Sequence, residues 1–274
     1  MSVVRLKSFE CAELDVYARL TDNQLRNRLD PARSVMIAES HLVVEAALGA
    51  GVEPLSFLTD EAHAHVAARL LERAGLAEKN VPVYVLPDAE LQKLTGYRLV
   101  RGLLCAMRRP APRAASEVIA SSRHLAVVED LVDVSNVGAL FRSAAALGAD
   151  GVILSPTCAD PLSRRALRVS MGCALKVPWA RATAAEWPDA AFGQMRAAGM
   201  EVCAMALVEG AVPLDDPALL PGCPRALVFG NEGAGLNAAT LAACDRAVII
   251  PMAAGVDSLN VAASSAVAFW QLFK

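Results

Sequence analysis

Aromatic side chains are scarce in this chain, at 5% of 274 residues, while hydrophobic residues reach 55% and are mostly Ala, Val and Leu. A core of this kind is built from small and branched aliphatics, which suits buried parallel strands flanked by small-residue helices. Long apolar runs are missing too. None reaches the roughly 18 residues that a membrane helix needs, and the start, Met1-Ser-Val-Val-Arg-Leu-Lys-Ser8, lacks the apolar stretch of a secretory signal. The expectation is a cytoplasmic protein that does not enter the membrane. The seven cysteines include no CxxC pair, which argues for reduced thiols against a disulfide framework or zinc site. Three of the four histidines fall in the first 115 residues, so no histidine-rich metal constellation is expected. An excess of positive charge is absent as well: the net charge is −3 and the pI about 5.9, which excludes non-specific coating of nucleic acid. A local basic face would still suffice for RNA, and two arginine clusters offer one: Arg19, Arg26, Arg28 and Arg33, then Arg98, Arg101, Arg108, Arg109 and Arg113.

What is present is an alternation of strand-like and helical segments. In the first half, strand-like runs at Ser34–Glu39, Pro54–Thr59, Val81–Pro87 and Gly102–Met107 are interleaved with helical patterns at Leu20–Leu29, Ser40–Gly51, Glu61–Ala74 and Asp88–Leu94, a small α/β sandwich. The stretch Arg108-Arg-Pro-Ala-Pro-Arg-Ala-Ala-Ser116 reads as a linker, because proline stiffens the chain and removes donors that a sheet needs. A domain boundary is therefore expected near residue 115, dividing the chain into 1–115 and 116–274. Beyond it, apolar runs at Leu125–Glu129, Gly151–Leu154, Val202–Leu207, Ala226–Phe229 and Ala247–Pro251 carry the βαβ signature of a mostly parallel sheet. In such sheets ligands sit at the carboxyl ends of strands.

Three turns at those ends contain polar residues of the types a site needs. In Glu129-Asp-Leu-Val-Asp-Val-Ser-Asn-Val-Gly-Ala-Leu-Phe-Arg142, Ser135 or Asn136 is a candidate cap for a helix beginning near Val137, and Arg142 follows nearly two turns later. Val228-Phe-Gly-Asn-Glu-Gly-Ala-Gly-Leu236 places glycines between a strand and a helix beginning near Leu236. There they permit positive φ and close backbone approach. This run is neither GxGxxG nor GxxxxGK[ST], so it specifies neither a dinucleotide nor a nucleoside triphosphate. The third turn, within Ala247–Lys274, leads into an apolar C-terminal helix with Ser258 as candidate N-cap and Asn260 in the first turn. Amides without intrahelical partners lie there. Taken singly, each turn is also compatible with an ordinary strand–loop–helix junction.

Together the three turns resemble the SpoU, or TrmH, branch of the SPOUT RNA methyltransferases. The family's Asn-x-Gly followed by Arg matches Asn136, Gly138 and Arg142; its Gly-x-Glu-Gly-x-Gly matches Gly230, Glu232, Gly233 and Gly235. Its Ile-Pro-Met ending in Ser-Leu-Asn-Val matches Ile250, Pro251, Met252, Ser258, Leu259, Asn260 and Val261. The intervening Arg168-Val-Ser-Met-Gly172 also looks like a family segment, and the first half resembles an L30e/L7Ae-like RNA-binding domain. The resemblance implies an α/β fold whose C-terminal SPOUT domain carries a deep trefoil knot, one of the rare exceptions to unknotted topology. It implies a homodimer through the knotted domain and methyl transfer from S-adenosylmethionine to a ribose 2′-hydroxyl of RNA, with ribosomal RNA the first expectation and transfer RNA the second. No metal is implied. The cofactor would lie against Phe229, Gly230, Asn231, Gly233, Ile250, Pro251, Met252, Ser258 and Leu259. Arg142, Asn136, Glu232, Ser258 and Asn260 would form the catalytic set, with Arg142 either taking the proton or stabilising the developing alkoxide. Phe269, Trp270, Leu272 and Phe273, at the end of the last helix, either complete the core or face a partner; the family favours the partner. Against these implications stand a non-catalytic RNA-binding protein, which the intact Arg142, Glu232 and Asn260 disfavour, and a dinucleotide oxidoreductase or serine hydrolase, whose GxGxxG and GxSxG motifs are missing.

Overall fold

The computed structural model describes residues 2–18, 20–27, 30–95, 102–256 and 258–273. Arg19, Arg28, Arg98 and Arg101 of the two arginine clusters lie outside them. The chain divides into two compact units: Met1–Ala111 with Leu162–Leu175, and Pro112–Pro161 with Lys176–Lys274. The transition between 111 and 112 falls within the proline-containing stretch, and the excursion 162–175 packs with the first unit.

The first unit is a five-stranded mixed sheet with helices. Its strands are β1 (Ser2–Arg5), β2 (Val35–Glu39), β3 (Pro54–Thr59), β4 (Pro82–Val85) and β5 (Leu103–Arg108), in the order β1-β4-β3-β5-β2. Strand β4 runs parallel to β1 and β3, while β5 is antiparallel to β3 and β2. Short helices α1 (Asp15–Ala18) and α2 (Asp22–Arg26) precede β2, and α3 (His41–Gly49), α4 (Ala64–Arg73) and α5 (Asp88–Thr95) lie between later strands. Residues along β3 and β5 are almost continuously buried, as expected of central strands covered on both faces. Tyr17 is buried among Ile37, Leu58 and Leu104. Its hydroxyl donates to the Ser56 carbonyl at 2.8 Å and accepts from the Ala106 amide at 3.1 Å, so the burial of a polar tip is compensated. The sequence reading missed β1, a run of only four residues without a buried face.

The second unit is a seven-stranded sheet in which every pairing is parallel. Its strands are β6 (His124–Val128), β7 (Gly151–Leu154), β8 (Trp179–Arg181), β9 (Glu201–Met205), β10 (Val212–Pro213), β11 (Arg225–Phe229) and β12 (Arg246–Ile249), in the order β10-β12-β9-β11-β6-β7-β8. Its helices are α6 (Ala115–Ala120), α7 (Val134–Ala146), α9 (Asp189–Ala197), α10 (Ala238–Ala243) and α11 (Val261–Leu272); α8 (Arg164–Val169) belongs to the excursion that packs with the first unit. The edge strands β8 and β10, of three and two residues, are too short to show a periodic signal.

Alternation along the strands divides the core in two. Leu125, Val127, Ala226 and Val228 share one cluster with Val118 and Ile119 of α6 and Phe192 and Met195 of α9. Phe229 packs edge-on to Phe269 of α11, ring centroids 5.6 Å apart, and Phe269 stacks on Phe273 at 5.0 Å. Phe269, Leu272 and Phe273 are thus buried within their own chain. This corrects the expectation that these side chains face a partner: they close the core over β11. Trp270 differs, with 58% of its surface exposed, because it lies on the opposite side of α11.

All seven cysteines are free thiols. Burial pushes Cys203 and Cys244 up to about 12, so both stay protonated and unreactive near neutral pH. No helix among the described residues is long and apolar enough to cross a membrane. Among the same residues no group of three or more His, Cys, Asp and Glu side chains is placed to hold a metal ion.

Candidate active site

Strands β12, β9 and β11 are neighbours in the sheet, so their parallel carboxyl ends open side by side. A cavity of about 410 Å³ occupies that position, within the range of small-ligand sites. Phe229, Gly230, Asn231, Glu232, Gly233, Ile250, Met252, Ser258 and Leu259, all singled out in the sequence, line it. Pro251 does not line it. The sequence reading missed the segment Met205–Val208 after β9, together with Leu241, Val248 and Ser264, which also form its walls. Nothing in Met205-Ala-Leu-Val208 is a motif; only the position of β9 between β11 and β12 brings that segment in.

The glycine-rich turn after β11 has a definite internal structure. Asn231 and Gly235 exchange backbone hydrogen bonds, at 3.0 and 2.9 Å. The Asn231 side-chain oxygen accepts from the amides of Gly233 at 2.8 Å and Ala234 at 3.3 Å. Gly235 has φ +69°, a left-handed conformation open to glycine without steric cost. Gly230 is required for a different reason: a Cβ there would lie 2.3 Å from the carbonyl carbon and oxygen of Gly235 and 2.6 Å from the Leu236 nitrogen. The absent side chain therefore makes room for the turn's own backbone. The following helix, α10, begins at Ala238 and not near Leu236, with Asn237 as its cap residue.

The cap of α7 also differs from expectation. Asp133 is the N-cap, its carboxylate accepting from the Ser135 amide at 2.6 Å. Neither Ser135 nor Asn136 serves in that role, and Asn136 stands inside the first turn with its amide directed outward. For α11 the N-cap is Asn260 and not Ser258; the Asn260 side-chain oxygen accepts from the Ala262 amide at 2.9 Å. Asp and Asn both stabilise helix starts in this way by about 1 kcal/mol relative to alanine. Capping uses only the oxygen of Asn260, which leaves its NH2 group available. That group donates to Asn136 Oδ1 at 3.1 Å, and Asn136 in turn donates to Glu232 Oε1. One hydrogen-bonded chain, Asn260–Asn136–Glu232, thus joins the three turns. Glu232 Oε2 makes no hydrogen bond among the described residues. Asp257, in the third turn, lies outside them.

Arg142 is exposed on α7, two turns beyond Asn136, on the helix that packs against α11. Among the described residues it has neither an ion pair nor a hydrogen bond, so it makes none with Glu232 or Asn260. Of the expected catalytic set, Asn136, Glu232 and Asn260 are brought into contact, Ser258 lines the cavity, and Arg142 is exposed and shares no hydrogen bond with them. The arrangement offers a cavity with both polar and apolar walls beside a carboxylate oxygen with spare acceptor capacity. A guanidinium carrying five donors is exposed on the adjoining helix.

Residues 123–270 match the SpoU rRNA Methylase family. The chain is 39% identical to an uncharacterized tRNA/rRNA methyltransferase of Mycobacterium tuberculosis over 94% of its own length and 87% of that protein's. It is also similar to the 23S rRNA (guanosine(2553)-2′-O)-methyltransferase RlmP of Bacillus subtilis, 27% identical with 86% and 87% covered. Among solved structures, the AdoMet-bound rRNA methyltransferase from Sinorhizobium meliloti superposes with a TM-score of 0.78 at 25% identity, covering 98% of this chain and 97% of that one. The SpoU methyltransferase AviRb from Streptomyces viridochromogenes shares the fold, with a TM-score of 0.76 at 22% identity over 95% and 97%.

Proposed function

This chain belongs to the SpoU rRNA Methylase family, and from that premise we propose that it transfers the methyl group of S-adenosylmethionine to a ribose 2′-hydroxyl of RNA. The substrate of this reading is ribosomal RNA of the large subunit, with transfer RNA as the alternative. The observation that carries this reading is the convergence of three separate turns on one cavity, coupled by the Asn260–Asn136–Glu232 chain. The similarity to RlmP over most of both chains supports the ribosomal substrate.

The cavity fits the donor in chemistry as well as size. Met205, Val248 and Ile249 supply an apolar wall for a purine, while the turn around Gly230 and Gly233 and the Ser258 and Ser264 hydroxyls supply polar contacts. S-adenosylmethionine brings a methyl group already activated by sulfonium charge, so the protein's part is alignment of the acceptor and relief of its proton. Glu232, held by Asn136, orients the ribose through its unoccupied oxygen. In this reading Arg142 acts at the reacting sugar and its phosphate. There it either takes the hydroxyl proton or stabilises the developing alkoxide.

Two measurements test this reading. Calorimetry with S-adenosylmethionine is expected to give one saturable site per chain. Mapping 2′-O-methylated nucleotides in total RNA, with and without the gene, is expected to reveal one ribosomal position that depends on it. A dependent position in transfer RNA would replace the substrate, and the absence of any dependent position would remove the activity.

The same proposal includes a knotted C-terminal segment and pairing of two copies through the second unit. Support for pairing comes from Trp270 and Val267, which are 58% and 42% exposed on α11, more than a solvated helix face usually carries together. Light scattering at micromolar concentration is expected to give twice the chain mass, and Val267→Glu with Trp270→Glu is expected to give the monomer. A monomeric wild-type protein would count against the pairing.

A further inference from the structure

Asp130 follows the end of β6; it is not a wall of the cavity and not a member of the Asn260–Asn136–Glu232 chain. Its surroundings nonetheless lead straight to the glycine-rich turn. The ladder between β6 and β11 continues to Glu129, whose amide donates to the Phe229 carbonyl at 2.8 Å. At Asp130 the backbone turns left-handed, φ +53°, and the two neighbouring carboxylates point to different partners. That of Glu129 is buried and accepts from Trp187 Nε1 at 2.9 Å, from the Asn237 amide at 2.8 Å and from the Thr240 hydroxyl. It therefore belongs to the start of α10.

Asp130 holds both ends of the turn instead. Its backbone carbonyl accepts from Asn231 Nδ2 at 2.9 Å, and its Oδ2 accepts from Asn237 Nδ2 at 3.3 Å. Its Oδ1 accepts from the Ser155 hydroxyl at 3.2 Å and from the Thr157 hydroxyl, while its amide donates to Ser155 Oγ at 3.0 Å. The contacts to Ser155 and Thr157 secure a backbone conformation that L residues seldom adopt. That conformation aims the carbonyl at Asn231. Asn231 is the residue whose other side-chain atom organises the amides of Gly233 and Ala234. A continuous set of bonds thus runs from the loop after β7, through Asp130, to the amides that line the cavity.

We infer that Asp130 is a positioning residue: it sets the shape of the turn 231–237 and through it the affinity for the methyl donor. The inference rests on the reading that this turn holds the donor. Asp130→Gly is the informative change, because glycine adopts the left-handed conformation without strain and removes only the carboxylate. With the full chain, donor affinity by calorimetry is expected to fall roughly tenfold, the equilibrium weight of a lost charge-assisted hydrogen bond. Turnover at saturating donor is expected to stay within about twofold, the pattern of a binding effect without a transition-state effect. Amide hydrogen exchange over 231–236 is expected to accelerate. Asp130→Asn, which tolerates the same φ and keeps one acceptor oxygen, is expected to recover part of both losses. Wild-type affinity and wild-type exchange in Asp130→Gly would overturn the inference, as would a fall in melting temperature with neither local effect. If the wild-type protein bound no S-adenosylmethionine, the donor reading would fail by itself. Exchange over the turn would still decide the role of Asp130 in shaping it: faster in Asp130→Gly supports that role, and unchanged removes it.

Discussion

Replacing Arg142 by alanine is expected to reduce methyl transfer by roughly 10²- to 10⁴-fold, the range for losing a group that handles charge or a proton at the reacting centre. The melting temperature should stay within a degree or two, about the shift of a small surface effect, because the side chain is exposed and has no ion pair or hydrogen bond among the described residues. Donor affinity should also persist, since Arg142 is not among the cavity walls. Arg142→Lys separates two roles. Lysine keeps the charge and loses the planar fork that grips phosphate or alkoxide through two bonds, so recovery of only a small part of the activity would favour bidentate contact. Transfer of labelled methyl to an RNA substrate, read beside calorimetry for the donor, checks all three expectations. A folded Arg142→Ala with wild-type transfer would remove the residue from the mechanism.

Gly230→Ala should have the opposite profile, a loss of binding accompanied by a loss of stability. The added methyl group would lie 2.3 Å from the Gly235 carbonyl carbon and oxygen and 2.6 Å from the Leu236 nitrogen. These are backbone atoms, and no rotamer change can move them aside. The turn must open, at the 1–3 kcal/mol typical of overpacking, which corresponds to about five- to 150-fold in donor affinity if the strain is released by leaving the bound shape. Gly233→Ala is the steric control. Its Cβ would meet only Asn231 Oδ1, at 3.5 Å, so the fold should tolerate it and any loss of donor affinity would report contact with the ligand itself. Calorimetry and thermal unfolding of the two variants distinguish the cases. Equal melting temperatures for both would show that the crowding at Gly230 is relieved at no cost.

The two variants mark different depths at which the site is legible. That glycines cluster between β11 and α10 is plain in the sequence, and so is their permissiveness. Which glycine is indispensable is not, since the atoms that crowd Gly230 come from five and six residues later in a turn whose shape depends on Asn231 and Asp130. The caps behave similarly. Ser135, Asn136 and Ser258 all have suitable chemistry, but Asp133 and Asn260 take the positions. The choice follows from where the chain leaves the preceding strand, and it frees Asn136 to reach Glu232. At the end of α11, the run Phe269-Trp-Gln-Leu-Phe273 is apolar on nearly every side. Contact with Phe229 and His124 draws Phe269 and Phe273 inward and leaves Trp270 outside.

By itself the sequence determined the α/β class, the position of every long strand and the three turns that bear polar groups. These depend on interactions between residues a few positions apart, where apolar runs, glycine and proline act directly. The tertiary structure decided which strand ends adjoin, that Met205–Val208 completes the cavity, and that Asn260, Asn136 and Glu232 meet although up to 124 residues separate them. Parallel neighbours in a sheet are chosen by how crossover helices pack over it, and that choice leaves no local trace in the chain.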